Sequence, residues 1–308
     1  MAGMLYLVPT PIGNLGDIST RCRETLEQAD FIAAEDTRVS LKLLNHLGIK
    51  KSLVSYFEHN KAAKGNVILD RIIAGETCAL VSDAGSPAIS DPGEDLVKQC
   101  AAAGITVCAI PGPCAAITAL SISGQATGRF CFEGFLSTSK KSRREHLESL
   151  KKEQRTMIFY EAPHKLKNTL ADMAEFFGGE RRIAICREIT KLHEEVIRLT
   201  LAEAVEYYNT TEPRGEYVLV LEGKSASDSD EITLEQAMEQ VKRLIEKGEK
   251  PTFSAEYPKI KIVVPKSTGK ISAGISVNDA ISAPIKRGDI VGVVSYTNGK
   301  EEICQIDI

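Results

Sequence analysis

The sequence predicts an α/β protein with substantially parallel sheets, followed by a separate small β module. Three observations carry this reading. Seven short β-forming runs are continuously apolar with no in-out alternation, segments with helical spacing alternate with them, and the texture changes after residue 223. A strand that is apolar throughout is buried on both faces, so its sheet needs helices above and below it.

The elements follow in order. LYLV (5–8) opens the chain, then a helical pattern at 19–29, FIAA (31–34), helical patterns at 37–47 and 60–74, and CALV (78–81). A helix at 94–103, TVCAI (106–110) and a helix at 114–122 close a first stretch, 1–124. The second stretch, 125–223, holds helices at 141–152, 164–176 and 201–208 and the runs TMIFY (156–160), RIAIC (182–186) and YVLVL (217–221). KSASDSDE (224–231) is a polar linker, and LEQAMEQVKRLIEKG (234–248) is an amphipathic helix stopped by Gly248 and Pro251. Residues 224–250 therefore connect to a β-rich module at 251–308, where alternation around Asn298-Gly299 predicts a hairpin.

Composition narrows the function. The net charge of -4, from 38 basic and 42 acidic side chains, excludes a globally basic nucleic-acid protein but leaves local patches open. The eight cysteines (22, 78, 100, 108, 114, 131, 186 and 304) stand singly in apolar runs without metal-ligand spacing, which predicts reduced core thiols and no metal. No apolar run reaches the ~18 residues of a membrane span, and a cytoplasmic location is the expectation.

Candidate function gathers at strand ends. VPTPIGNLGD (8–17), VSDAGSPAISDPG (81–93) and IPGPCAA (110–116) are Pro/Gly-rich loops that each follow a predicted strand. Such loops beyond the carboxyl ends of parallel strands form a ligand crevice, and their small residues let a ligand approach the main chain. Asp91-Pro92-Gly93-Glu94 also reads as a helix start with Asp91 as N-cap. Neither a GxGxxG after a strand nor a GxxxxGK[ST] is present, so the dinucleotide fingerprint and the P-loop have no support.

LYLVPTPIGNLGDIS (5–19), AAEDTR (33–38), FEHN (57–60), the 81–93 loop, IPGPCAAITAL (110–120), FYEAPHKL (159–166) and GEYVLVLEG (215–223) together resemble the ribosomal-RNA branch of the tetrapyrrole methylase superfamily. The resemblance covers about 1–223. It implies two α/β subdomains with S-adenosyl-L-methionine in the cleft between them, a homodimer, and methyl transfer to the ribose 2′-hydroxyl of a cytidine in the decoding region of small-subunit rRNA. Matched residue by residue, it implies cofactor contacts at Pro9, at Asp83, Ala84, Gly85, Ser86, Pro87 and Ser90, at Ala115 and Ala116, and at Tyr160 and Glu161.

A ribose hydroxyl is a weak nucleophile, so a proton acceptor near neutral pKa is expected. Glu35, Asp36 and His59 are the candidates, although Asp36 or Thr37 equally caps the helix at 37–47 and His59 equally caps the next helix or touches RNA. Arg187, Glu188 and Lys191 read either as an ion pair or as substrate contacts. KKSRREHLESLKKEQR (140–155) is the densest basic run, either a solvated helix face or an RNA-phosphate patch. With Arg38, its Lys140, Lys141, Arg143, Arg144, Lys151, Lys152 and Arg155 are the candidate RNA contacts.

The tail departs from that family. Residues 258–308 resemble the β-rich C-terminal domain of D-alanyl-D-alanine carboxypeptidases. Ser137–Lys140 and Ser149–Lys152 have SxxK spacing, but no KTG accompanies them, so peptidase chemistry is not expected. Methylation of a tetrapyrrole, and RNA binding without catalysis, remain the alternative functions.

Overall fold

The computed structural model describes residues 3–225 and the strands at 272–277, 292–297 and 302–307. Residues 1–229 form one compact unit and 230–308 another. Within the first, β1 (Met4–Leu7), β2 (Phe31–Ala34), β3 (Ser52–Ser55), β4 (Cys78–Val81) and β5 (Thr106–Ala109) make a sheet of order β3-β2-β4-β1-β5. Every neighbouring pair in it is parallel. A second sheet, of order β6-β7-β10-β8-β9, is built from β6 (Phe130–Phe135), β7 (Thr156–Glu161), β8 (Arg182–Arg187), β9 (Glu195–Thr200) and β10 (Tyr217–Leu221). It is mixed: only β6 and β7 run parallel.

Most of the apolar runs behave as their composition requires; TVCAI does not, because β5 lies at a sheet edge and its Thr106 and Ala109 are exposed. Leu5, Phe31, Ala33, Cys78 and Leu80 pack on one face of the first sheet, while Val8, Ile32, Ala34, Ala79 and Val81 pack on the other. The helices α1 (Thr20–Gln28), α2 (Thr37–Leu47), α3 (Lys61–Ile73) and α4 (Glu94–Ala102) accompany this sheet. The second sheet is likewise buried on both faces, with Phe159, Ile185 and Leu219 on one side and Ile158, Ala184 and Val220 on the other.

All eight expected helices from 19–29 to 201–208 are present, completed by α5 (Ala115–Ser123), α6 (Lys140–Ser149), α7 (Pro163–Phe177) and α8 (Leu201–Thr210). Local chemistry sets their ends. Ser19 accepts from the Cys22 amide at the start of α1, Gly48 closes α2 at φ 72°, and Thr200 and Glu203 form a reciprocal capping box on α8. Three strands had no continuous apolar run to announce them: β3, β6 and β9. All three lie at sheet edges, where one side faces water and burial does not demand such a run. Although α5 follows the first sheet in the chain, Ala116, Ala119 and Leu120 pack on Ile158, Ala184 and Val220 of the second.

The second unit contains β11 (Ser272–Val277), β12 (Gly292–Thr297) and β13 (Glu302–Asp307), an antiparallel sheet of that order. β12 and β13 form the expected antiparallel pair, with Thr297 opposite Glu302. The expected helix at 234–248 and the turn at Asn298-Gly299 lie outside the described residues.

Candidate active site

Because β2, β4, β1 and β5 are adjacent and parallel, the loops that follow them emerge at one edge of the sheet. The three Pro/Gly-rich loops are joined there by main-chain bonds. Thr10 and Gly85 exchange both amide bonds, at 2.9 and 3.0 Å, and the Ser86 hydroxyl donates to the Pro113 carbonyl at 3.1 Å. Gly85 sits at φ 84°, and a Cβ there would stand 3.2 Å from Ile12 Cγ2 and 3.6 Å from the Pro113 oxygen. Only glycine takes that backbone easily in so small a space.

From the second sheet, the Tyr160 phenol accepts from the Ala116 amide at 3.2 Å, and Glu161 is buried. The Glu161 carboxylate takes the Ala162 amide at 2.8 Å, the Thr169 hydroxyl at 2.5 Å and the Lys165 ammonium at 3.0 Å. On the loop after β8, Lys191 bridges Glu188 at 2.8 Å and Glu216 at 2.6 Å. Arg187 instead donates to the Arg214 carbonyl at 2.8 Å and pairs with Glu195 at 3.4 Å. Two loops carry non-glycine residues in the left-handed region, Ala88 and Ser90 on one and Glu188 and Thr190 on the other. Backbone held so costs energy and concentrates at ligand sites.

These loops enclose a cavity of about 470 Å³, within the ~300–1,000 Å³ of small-molecule sites. Glu35, Asp83, Ala84, Gly85, Ser86, Ser90, Ala115, Tyr160 and Glu161 line it. Pro9, Pro87 and Ala116 do not. Pro9 and Pro87 line a second, apolar groove, and Gly112 lies so close to Pro9 that a Cβ would stand 2.7 Å from its ring. Ala116, in the first turn of α5, is buried against the second sheet and reaches the cavity only through its bond to Tyr160.

The three acid-base candidates separate. Glu35 lines the cavity with its pKa raised by burial, and further by the charges of Asp83 and Asp36. Asp36 caps α2 instead: it takes the Arg38 amide at 2.8 Å and the Arg38 guanidinium, which lowers it to about 2 and leaves it a poor base. His59 sits on the exposed turn before α3, edge-on to Phe57 at 6.3 Å, and is not among the residues lining the cavity. Asp91 is the carboxylate that the sequence had placed elsewhere. α4 begins at Glu94 behind an N-cap Gly93, a position with no room for a side chain, since a Cβ there would meet Ala88 at 2.8 Å and Leu80 at 2.9 Å. Asp91 therefore caps nothing and lines the cavity, where burial, then Glu35 and Asp83, push it up to about 6. Its signal in the sequence was present but doubled as that of a helix start.

The basic run is partly internal. Arg143 is buried, its Nε donating to Asp172 at 2.7 Å. Arg144 pairs with Asp172 and Glu175 and lies 4.7 Å over the Phe176 ring. Arg155 closes on Glu153 at 2.7 Å, and Arg38 on Asp36. Lys140, Lys141, Lys151 and Lys152 remain on the exposed side, Lys151 also pairing with Glu148 at 2.7 Å. Asp172 and Glu175, one helical turn apart on α7, were the available hint that α6 turns its arginines inward.

The family model of Tetrapyrrole (Corrin/Porphyrin) Methylases matches residues 4–205. The chain belongs to the tetrapyrrole methylase family. This methylase is 48% identical to a Synechocystis protein named ribosomal RNA small subunit methyltransferase I, across 80% of this chain and 88% of that one. Proteins of the same name from Bacillus subtilis and Halalkalibacterium halodurans are 51% and 54% identical, covering 74% and 72% of this chain and 78% and 76% of theirs. In fold, the methylase is similar to a uroporphyrin-III C-methyl transferase from Thermus thermophilus complexed with S-adenyl homocysteine, at TM-score 0.52 and 16% identity over 71% of this chain and 97% of that one. Diphthine synthase gives TM-score 0.54 at 13% identity over 71% and 90%. Residues 239–308 match the model of the Penicillin-binding protein 5 C-terminal domain. The resemblances expected for both parts of the chain are thus met.

Proposed function

We propose that this methylase transfers the methyl group of S-adenosyl-L-methionine to the 2′-hydroxyl of a cytidine ribose in the decoding region of small-subunit rRNA. The enzyme class and the rRNA substrate rest on relatives 46–54% identical to the chain. The observation that carries the chemistry is the convergence of four strand-end loops on one cavity bearing Glu35, Asp83 and Asp91. That cavity suits a cationic sulfonium: of the carboxylates lining it, Glu161, Glu188 and Glu216 are paired with lysines while Glu35, Asp83 and Asp91 are not, among the described residues, and at Gly85 the main chain leaves a space that a Cβ would crowd. When bound, the cofactor supplies an already activated methyl group.

The chain's own residues then have three tasks. Gly85, Ser86 and Ala115 present main chain to the ligand, and Tyr160 and Glu161 fix the opposite wall. Positioning of reactants in this manner is worth ~7–11 kcal/mol. Asp91, held near 6, and Glu35 are the cavity carboxylates suited to receive the ribose proton. Lys140, Lys141, Lys151 and Lys152 offer exposed charge for RNA phosphates. A homodimer in the cytoplasm completes the reading. It draws on the family resemblance and on the absence, among the described residues, of any helix long and apolar enough to cross a membrane.

Labelled S-adenosyl-L-methionine incubated with unmethylated small subunits tests this. Label at a cytidine ribose is the expected result. Label in a porphyrinoid alone, or RNA binding without transfer, overturns it.

A further inference from the structure

Phe135 stands out among the residues around the cavity. It lines the cavity, yet 56% of its surface is open to water. Its place there depends on an irregularity in β6. Phe132 pairs with Ile158, but Gly134 pairs with Phe159 and Phe135 with Tyr160, so Glu133 is an extra residue. Gly134 takes φ 63°. Side chains alternate along a strand, and one inserted residue moves the following side chain to the opposite face. Without it, Phe135 would share the face of Cys131, on the closed core with Met157 and Phe159. With it, Phe135 shares the face of Phe132 and Tyr160, its ring 5.4 Å from that of Tyr160, which itself lies 5.0 Å from Phe132.

The ring is also supported. Lys165, anchored on Glu161 at 3.0 Å and on the Leu136 carbonyl at 3.3 Å, sits 5.4 Å from its centroid. The same cavity is lined by Ile89, 49% exposed and carried on the strained loop between Ala88 and Ser90. The loop and the bulge touch: a Cβ on Gly134 would stand 3.2 Å from Ser90 Oγ. A bulge next to a site commonly re-aims a side chain toward the ligand. A broad apolar ring kept open to water awaits a planar partner.

We propose that Phe135, with Ile89 beside it, is the stacking platform for the nucleobase of the nucleotide whose ribose is methylated. This rests on the rRNA reading above. A single-stranded base turned out of its stack is held between aromatic and aliphatic side chains, and its π face binds whatever its identity. The platform fixes where the attached ribose lies, while the hydroxyl is presented to the carboxylates deeper in the cavity. Phe135 is thus a substrate-positioning residue and takes no part in proton transfer.

Phe135→Ala, Phe135→Trp and Ile89→Ala, made in the full chain, are compared for methyl transfer to unmethylated small subunits, for S-adenosyl-L-methionine affinity by calorimetry, and for Tm. The expected result for Phe135→Ala is a KM for subunits raised ~5–150-fold, as loss of one stacked base requires. Cofactor Kd should stay within about twofold, Phe135→Trp should restore KM, and Ile89→Ala should raise KM less. An unchanged KM overturns the proposal. A parallel loss of cofactor affinity also overturns it and assigns the ring to the cofactor. Failure of Phe135→Trp to restore KM, with normal cofactor binding, points to packing alone and likewise overturns it. If the unaltered protein transfers nothing to rRNA, the parent reading fails instead, which separates the two.

Discussion

The halves built on the two five-stranded sheets hold their loops by different means. In the first, loops are fixed by main chain: the reciprocal Thr10–Gly85 bonds, Ser86 on the Pro113 carbonyl, and glycines where no Cβ fits. In the second, ionised side chains do it, through Glu161 with Lys165 and Thr169, Lys191 with Glu188 and Glu216, and Arg143 and Arg144 with Asp172. Main-chain bonding leaves room for a ligand to meet the backbone, whereas side-chain networks build a wall that is bulkier and tunable by charge. The halves differ in their carboxylates too, with raised pKa values at Glu35 and Asp91 in the first. Burial is the main cause at Glu35 and Asp91, and neighbouring carboxylates add to it, whereas Glu188 is lowered, against its own burial, by Lys191 beside it.

The largest expected effect probes that asymmetry directly. Asp91→Asn should reduce kcat by ~10²–10⁴-fold, the usual worth of a general base, with cofactor binding retained. The unaltered enzyme should lose kcat/KM as the pH falls below about 6, and the variant should lack that limb. A pH profile identical in both proteins would transfer the role to Glu35. In the second half, Arg143→Ala should destabilise by ~3 kcal/mol, the low end for a broken buried pair because Arg144 still reaches Asp172 at 3.1 Å. Denaturant titration reads this, and cofactor affinity of the folded fraction should not change.

Gly85→Val should weaken S-adenosyl-L-methionine binding by ~10–100-fold, since a β-branched residue must adopt φ 84° against Ile12. Undiminished binding in calorimetry would show that the main-chain wall is not what grips the cofactor. Replacing Lys140, Lys141, Lys151 and Lys152 together with alanine should lower RNA affinity by ~10-fold and flatten its salt dependence, because fewer counterions are released. A salt slope that does not move would remove these lysines from the interface.

The smallest effect concerns stability. Asp91 has a folded pKa of about 6 against an ordinary 3.8, so its contribution to stability is full below 3.8 and lost as the pH rises through 6. Asp91→Asn should therefore raise Tm at pH 7 by ~2–4 °C, which corresponds to about 1 kcal/mol in a domain of this size once solvent screening is allowed for. The gain should shrink below pH 6 and vanish near 4; a constant gain would show that charge is not its cause.

Legibility in the sequence followed the same division. The Pro/Gly loops after β1, β4 and β5 were readable because backbone geometry is written locally, in residues that permit it. Glu35 was read in AAEDTR, and Tyr160 came from the family resemblance. Asp91 was misread because Asp-Pro-Gly-Glu is also how a helix begins, whereas α4 starts two residues later, at Glu94 behind Gly93. Arg143 was assigned outward because a basic run carries no mark of the acids it meets 29 residues later in the chain. Phe135 gave no signal at all: its direction depends on pairing register with β7.

By itself, the sequence determined the α/β class, the eight helices, most of the strands buried on both faces and the three Pro/Gly loops that line one cavity. Each of these follows from local backbone preference or from continuous apolarity, and neither needs knowledge of a distant partner. The tertiary structure decided which acids face the cavity, which arginines are spent inside, and where the exposed aromatic ring points. Those outcomes depend on which remote groups become neighbours, and a side chain's charge state, burial and direction are properties of its neighbours as much as its own.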